Sequence, residues 1–180
     1  LGLAPFSSMF WFGESTHPKP FDFRPEVHDS DGLLMELAGG NLHFRPLEHT
    51  KDQFRHCVFS MEKPRSWSLV QRDRSFASYQ DLEAHYHDRP DVRVEPLEGF
   101  DSGRLHLIEM PTIDETNDNV ILVWEPQPAL EPGKPFHFRY RLHHAKGISI
   151  PSSLQYPAKS ASVSFIPFSK ATSSFATAFR

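Results

Sequence analysis

The sequence predicts an all-β protein built as an antiparallel β-sandwich. Short apolar or alternating segments recur about every ten residues, and turn sequences rich in Gly, Pro, Asp and Asn separate them. No helical segments alternate with these runs, as a parallel α/β sheet would require. The composition agrees with this prediction, because sixteen prolines and 13% aromatic residues suit short strands and many loops better than long helices.

Ten strands are predicted, each from its own run of alternating, β-branched or aromatic residues. In chain order they cover residues 9–13, 23–28, 33–37, 42–47, 57–61, 68–71, 92–97, 104–110, 120–124 and 136–142. The turns between them include Asp31-Gly32, Gly39-Gly40-Asn41 and Glu131-Pro132-Gly133. Residues 75–87 mix acidic and aromatic side chains at irregular spacing, and one short helical turn is predicted there.

The chain divides by composition into residues 1–144, predicted to form part of a sandwich domain, and an atypical tail, 145–180. The tail holds nine serines, four basic residues and no acid, so residues 1–144 carry a charge of −8 against a net −4 for the chain. Its low complexity predicts weak order. Because the chain starts at Leu1 without a signal pattern, it is interpreted as an internal piece of a longer protein.

Several classes of function are disfavoured by the same numbers. A net charge of −4 argues against a nucleic-acid partner, which usually requires a basic surface. No apolar run approaches the roughly 20 residues needed to cross a bilayer, so no membrane insertion is expected. The single Cys57 excludes an intramolecular disulfide and a multi-cysteine metal site.

Two acidic residues, Asp29 and Asp31, lie within an alternating stretch and would project from the same face of a strand. Unpaired carboxylates are too costly to bury, so this face either lines a wet groove or pairs with nearby arginines. A polar cleft on a β scaffold suits a sugar, and paired carboxylates can perform acid and base chemistry. An equally good interpretation is an Asp-Ser-Asp-Gly turn in which Asp caps backbone N–H groups.

Asp73 lies between Arg72 and Arg74, directly after an apolar run. It could serve as a general acid or accept hydrogen bonds from sugar hydroxyls at the edge of a groove. The local sequence by itself favours a simpler interpretation, a solvated ion pair at the end of a strand.

The aromatic and histidine residues give weaker indications. Trp11 and Tyr86 stand beside polar segments and are the best candidates to stack on sugar rings, although most aromatic residues of a sandwich belong to its core. Eleven histidines are present, but none follows a zinc-binding helix pattern, so no metal site is predicted. The chain also lacks a phosphate-binding loop and a nucleophile elbow, and no cofactor is expected.

Several longer segments together resemble a known family. They are Ser8-Met9-Phe10-Trp11-Phe12-Gly13-Glu14, Arg24-Pro25-Glu26-Val27-His28-Asp29-Ser30-Asp31-Gly32, Gln71-Arg72-Asp73-Arg74-Ser75-Phe76, and Glu109-Met110-Pro111-Thr112 followed by Asp118-Asn119. In this order they make the chain similar to the periplasmic glucan biosynthesis protein G/D family of Gram-negative bacteria. The resemblance covers about residues 1–144.

This resemblance implies a periplasmic protein whose large domain is a β-sandwich like that of galactose mutarotase, incomplete in this chain. It also implies a cleft for β-1,2-glucan and, in some members, inverting endo-β-1,2-glucanase activity, which uses one carboxylic acid and one carboxylate. Asp73 would be the general acid and the base would lie upstream, so the fragment alone is expected to be inactive. The residues implied as sugar ligands are His28, Asp29, Asp31, Arg72, Arg74, Trp11 and Tyr86.

Two other functions remain open at this point. One is a non-catalytic glucan-binding or scaffolding module that assists a membrane glucan synthase. The other, a mutarotase-like sugar isomerase, rests on fold analogy alone.

Overall fold

The computed structural model describes residues 2–13, 22–48 and 52–148. Within these residues it contains eleven strands, one short α-helix and one 3-10 helix. The strands are β1 Leu3–Ser8, β2 Phe10–Phe12, β3 Val27–His28, β4 Gly32–Glu36, β5 Leu42–Pro46, β6 Arg55–Glu62, β7 Ser66–Val70, β8 Asp91–Glu98, β9 Ser102–Glu109, β10 Val120–Pro126 and β11 Arg139–Ala145. The helix α1 is Phe76–Tyr79, and the 3-10 helix is Tyr86–Asp88.

Each of the ten predicted strands overlaps an observed strand, and the predicted helical turn is confirmed as α1, with the 3-10 helix after it. The strand β1 was not predicted, because Leu3–Ser8 contains a proline and two serines and does not alternate clearly. The predicted tail lies outside the described residues from position 149 onward.

The strands form two main sheets and one small ribbon, and every pairing is antiparallel. The first sheet has the order β1-β10-β9-β6, the second has the order β11-β8-β7-β4-β5, and β2 pairs with β3. This arrangement confirms the prediction of an all-β, antiparallel protein.

The main core lies between the two sheets, where the inward-facing residues of alternating strands meet. The indole rings of Trp67 on β7 and Trp124 on β10 stack with their centroids 5.2 Å apart and their planes 8° from parallel. Leu33 and Leu69 from the second sheet and Leu107 from the first belong to the same buried cluster. The prediction of a sandwich is therefore confirmed, while the resemblance to galactose mutarotase stays a prediction.

A second, smaller core lies under the β2–β3 ribbon and supports the loops that carry the polar candidate residues. It consists of Met9, Phe12, Val27, Tyr79 and Tyr86. Because Tyr79 ends α1 and Tyr86 begins the 3-10 helix, this cluster fixes both ends of the segment that joins them. No helix in the described part of the chain has the length and apolarity needed to cross a bilayer.

Candidate functional site

The polar candidate residues meet at one end of the inner strands of the second sheet. The strand β4 starts at Gly32, its neighbour β7 ends at Val70, and β8 starts at Asp91. Gly32 pairs with Val70 in register, so the loops that precede β4 and follow β7 emerge side by side. Asp29, Asp31 and the Gln71–Arg74 segment are thereby brought together, although 40 residues separate them in sequence.

Asp29 and Asp31 lie in the bend between β3 and β4, and the prediction that they share one face of a strand is wrong. Strand pairing in the ribbon ends at His28, and the backbone N–H groups of Asp29 and Asp31 bond to two different parts of the chain. The Asp29 N–H donates to the carbonyl of Met9 at 2.9 Å, and the Asp31 N–H donates to the carbonyl of Val70 at 2.9 Å. The chain therefore crosses from one sheet to another at these two residues.

Both carboxylates have arginine partners, as the sequence analysis allowed. Arg72 Nε donates to Asp31 Oδ2 at 2.8 Å, while its guanidinium lies 4.4 Å from the centroid of the Phe44 ring. Asp29 Oδ1 lies 3.5 Å from Arg89 Nε. Burial raises the pKa of both aspartates above the ordinary value, and in each case the nearby arginine opposes that rise.

Asp73 is held by uncharged donors. Its carboxylate accepts the Ser75 N–H at 2.8 Å and the Ser78 hydroxyl at 2.5 Å, and its carbonyl accepts the Tyr79 hydroxyl at 3.0 Å. The flanking Arg72 forms its ion pair with Asp31 instead. The partly exposed carboxylate of Asp73 is therefore oriented at the start of α1 by hydrogen bonds rather than by a salt bridge.

Arg74 anchors the same loop to the start of β8. Its Nη2 donates to Asp91 Oδ1 at 2.6 Å and its Nη1 donates to the Arg89 carbonyl at 2.7 Å. Asp91 is fully buried and also accepts the backbone N–H groups of Gln71 and Ile148, each at 2.8 Å. Burial raises the pKa of Asp91, and these hydrogen bonds oppose the rise. The position of Arg74 is that of a structural support.

His28 lies in the interior, with 1% of its surface exposed. Its Nε2 is 2.9 Å from Glu26 Oε2, and its ring stacks on Phe10 with the centroids 5.3 Å apart. The edge of Tyr79 meets the same ring at 5.2 Å. The structure thus places His28 beneath the bend that carries the two aspartates, and not at the surface.

The two aromatic candidates differ in their positions. Tyr86 is 3% exposed and packs in the second core, with the guanidinium of Arg89 5.5 Å from the centroid of its ring. Burial raises the pKa of its hydroxyl. Trp11 is half-buried and contacts the Phe12 ring edge-on at 5.0 Å. Of these two rings, Trp11 is the more accessible.

A second charged cluster was missed by the sequence analysis. Arg24 forms salt bridges with Asp22 at 2.7 Å, with Asp81 at 2.6 Å and with Glu115 at 2.6 Å. The bonds from Arg24 lower the pKa of Asp22, which is ionised as a result. The three acids are spread over 93 positions, so no local spacing in the sequence could have indicated this cluster.

The arrangement combines two kinds of carboxyl group within one region. Asp29 and Asp31 have raised pKa values, whereas Asp22 and Asp81 have lowered ones. Across residues 2–13, 22–48 and 52–148, His, Cys, Asp and Glu do not form a group of three or more that could hold a metal ion.

Comparison with known proteins gives a consistent result. The family model described as "Periplasmic glucan biosynthesis protein, MdoG" matches residues 1–172. Over 143 residues, or 79% of the chain, 43% are identical to Glucans biosynthesis protein G of Pseudomonas putida. Two proteins of Ralstonia nicotianae, Glucans biosynthesis protein G and Glucans biosynthesis protein D 2, are 46% and 45% identical over 142 residues. The aligned part covers 25%, 28% and 26% of these three relatives, so the chain spans about a quarter of their length.

Proposed function

The chain belongs to the MdoG family of periplasmic glucan biosynthesis proteins, and on this basis we propose that it forms part of a β-1,2-glucan-binding site in which Asp73 is the general acid of an inverting cleavage. The location that follows from the family is the periplasm. The carboxylate that activates water would come from a part of the protein outside this chain.

The observation that supports this role is the way in which Asp73 is held. Its two carboxylate oxygens accept hydrogen bonds from Ser75 and Ser78, so the group is oriented without a cationic partner. A salt bridge would stabilise the ionised form and oppose protonation. A general acid must present its carboxyl group to the leaving oxygen in a fixed orientation, and the two hydrogen bonds supply such an orientation for this partly exposed side chain.

The neighbouring residues then fall into two groups. The first group would contact the glucan directly. Asp29, Asp31 and Arg72 would hydrogen-bond to its hydroxyl groups, and the half-buried ring of Trp11 would stack on the face of a sugar ring. The second group would support the site without touching the glucan. His28 and Tyr86 are buried, and Arg74 forms a salt bridge with Asp91.

The test is incubation of the full-length protein with linear β-1,2-glucan, following new reducing ends and the anomeric form of the products. The Asp73→Asn variant is expected to lose at least about a hundredfold in rate while it still binds glucan. The matched control, Asp52→Asn, changes an exposed aspartate and is expected to retain full activity. Cleavage by Asp73→Asn at the normal rate would refute the assignment.

A second candidate function is glucan binding without cleavage, in support of a membrane glucan synthase. It is favoured by the same hydrogen bonds, because an aspartate that accepts the N–H two residues on is also a common structural turn. Retention of glucan by the protein without new reducing ends would support this role and make Asp73 a hydroxyl ligand.

A further inference from the structure

A groove distant from Asp73 lies at one end of the first sheet. It forms where β9 begins at Ser102 and β10 ends at Pro126. Two adjacent cavities of about 380 Å³ and 400 Å³ are found there, and they share Ser102 and Gln127 in their linings. Because two residues line both cavities, we treat them as one continuous depression and refer to it as the far groove.

The far groove is separate from the region around Asp73. Asn119 lies on the Asp73 side, since its side-chain amide bonds to both the N–H and the carbonyl of Phe10 on β2. From there β10 runs from Val120 to Pro126, six residue steps that span about 20 Å at the usual rise of a strand. The two regions therefore lie at opposite ends of the same strand.

A row of aromatic rings borders the far groove. Phe136 lines one of the cavities, and Phe138 and Tyr140 continue the row at every second residue. The ring centroids are 6.2 Å and 6.4 Å apart, and successive planes deviate from parallel by 23° and 9°. Phe136 and Phe138 are 38% and 46% exposed, which leaves a large part of each ring open to solvent.

Gly99 fixes the position of this row. An added Cβ on Gly99 would stand 2.5 Å from the His137 carbonyl oxygen and 3.0 Å from the Phe138 Cβ. The φ of +80° at Gly99 is also a value that L side chains rarely adopt. The backbone at His137 and Phe138 therefore packs directly on Gly99, so this part of the loop before β11 is held against the residue that follows β8.

The rest of the lining is mixed. Apolar surface comes from Pro126, Pro128, Ala129, Leu130 and Pro135, and polar groups come from Ser102, Gln127 and charged side chains of both signs. Gln127 and Ser102 lie at the centre, with Lys134 on the side of Phe136 and Arg104 on the other side. Exposed flat rings beside such donors and acceptors match a sugar ring, which has an apolar face and an edge of hydroxyl groups. A large apolar ligand would bury the polar side chains of Ser102 and Gln127 without offering them hydrogen bonds.

We propose that the far groove is a second contact site for the glucan, which holds sugar units distant from Asp73. The identity of the ligand rests on the proposed function, because the glucan is inferred from the family. The groove contributes side chains that suit a sugar. A polymer is the ligand that can occupy both ends of β10, and the groove would increase affinity for long chains more than for short ones.

The test uses the Asp73→Asn background of the full-length protein, so that binding is measured without cleavage. Calorimetric titration with soluble linear β-1,2-glucan is compared between this protein and one that also carries Phe136→Ala and Phe138→Ala. The two substitutions are expected to raise the Kd about five- to tenfold, and Tyr at both positions is expected to restore binding. The control is Phe54→Ala, because Phe54 is 62% exposed and precedes β6 at the opposite end of the sheet.

An unchanged Kd in the double variant, or an equal rise in the Phe54→Ala control, would overturn the proposal. Gln127→Ala serves as an independent variant, since it removes a central amide and leaves both rings in place. It is expected to weaken binding about threefold. Normal affinity in this folded variant would also count against the groove. The proposed cleavage can fail without affecting this result, because the titration reports only binding. Conversely, if the protein cleaves glucan but the Phe136→Ala and Phe138→Ala substitutions leave the Kd unchanged, the proposed function stands and the proposal of the far groove is refuted.

Discussion

Arg45 on β5 and Glu109 on β9 form a two-point salt bridge between the two sheets of the sandwich. Arg45 Nη1 lies 2.7 Å from Glu109 Oε1, and Arg45 Nη2 lies 2.6 Å from Glu109 Oε2. The Glu109 side chain is 2% exposed and also accepts the N–H of Glu48 at 3.2 Å. Two parallel hydrogen bonds fix the relative position of the strands more strictly than apolar packing does.

Removal of the Glu109 charge is expected to destabilise the protein strongly. In Glu109→Gln the largely buried Arg45 guanidinium loses its counter-ion, and the free energy of unfolding should fall by about 3–5 kcal/mol in urea denaturation. The control is Glu48→Gln, because Glu48 pairs with Arg55 at the surface with 60% of its side chain exposed. That variant should change the free energy of unfolding by less than about 1 kcal/mol. Equal effects in the two variants would contradict the importance of the inter-sheet pair.

The hydroxyl of Ser78 is expected to position Asp73 for catalysis. Ser78→Ala removes the 2.5 Å hydrogen bond to Asp73 Oδ2, and a lost bond to a carboxylate should lower kcat for glucan cleavage about tenfold. Ser78→Thr keeps a hydroxyl and should restore most of the rate. Ser75→Ala is the matched control, because the Ser75 side chain makes no capping bond and its backbone N–H is unchanged. A similar loss in both alanine variants would exclude this role of the hydroxyl.

The pKa of Asp29 is expected to lie above the ordinary carboxyl value of 3.8, because the side chain is largely buried. Carboxyl NMR titration should show a further rise in Arg89→Gln, which removes an opposing positive charge, and a fall in Asp118→Asn, which removes a negative one. A folded-state pKa above the unfolded one stabilises the protein at low pH, and this contribution disappears as the pH rises through the folded-state pKa. Asp29→Asn should abolish that part of the pH dependence. An Asp29 pKa at or below 3.8 would contradict the burial.

Two histidines on the outer face of the first sheet are expected to make the protein less stable in mild acid. His56 Nε2 lies 2.8 Å from His106 Nδ1, and His106 Nε2 lies 2.8 Å from Glu125 Oε2, which Arg104 also binds. Burial and the charge of His106 lower the pKa of His56 below its ordinary value of 6.5. The folded state therefore disfavours protonation, so stability is present above pH 6.5 and falls as the pH drops through the folded-state pKa.

Urea unfolding at pH 7 and pH 5 measures this effect. The loss of stability between the two values should be smaller in His56→Gln than in the unmodified protein. His144→Gln is the control, since His144 is exposed on β11. If His56→Gln loses as much stability at pH 5 as the unmodified protein, the His56–His106 pair is not the cause.

The fold could be predicted largely from local patterns. The segment 120–124 is a continuous run of apolar and largely β-branched residues, which indicates a strand but not which face is buried; the structure buries Val120, Leu122 and Trp124. The exception was β1, whose pairing with β10 depends on a distant partner and not on its own pattern. The predicted strand 23–28 begins four residues before the observed β3, Val27–His28, and the alternation of Asp29 and Asp31 after it has no partner strand in the ribbon.

The candidate site was predictable in its residue types but not in its contacts. Asp29 and Asp31 could be selected because two acids stand in one alternating stretch, whereas Asp73 was selected through the family resemblance, since its local sequence favoured a solvated ion pair. The burial of His28 could not be foreseen, since the Phe10 and Tyr79 rings that enclose it come from segments 18 positions before it and 51 positions after it. The same reason applies to Asp91, which only the folded loops bring to Arg74.

The stacked rings of Trp67 and Trp124 give this protein an internal optical reporter. Two indoles at 5.2 Å and nearly parallel should couple their electronic transitions and produce a paired signal in near-ultraviolet circular dichroism. The third tryptophan, Trp11, packs against the smaller core instead. Separation of the sheets would remove the coupled signal at once, whereas local opening around the β2–β3 ribbon would alter only the environment of Trp11. Spectroscopy without any added label can therefore tell whether the two cores melt together or in sequence.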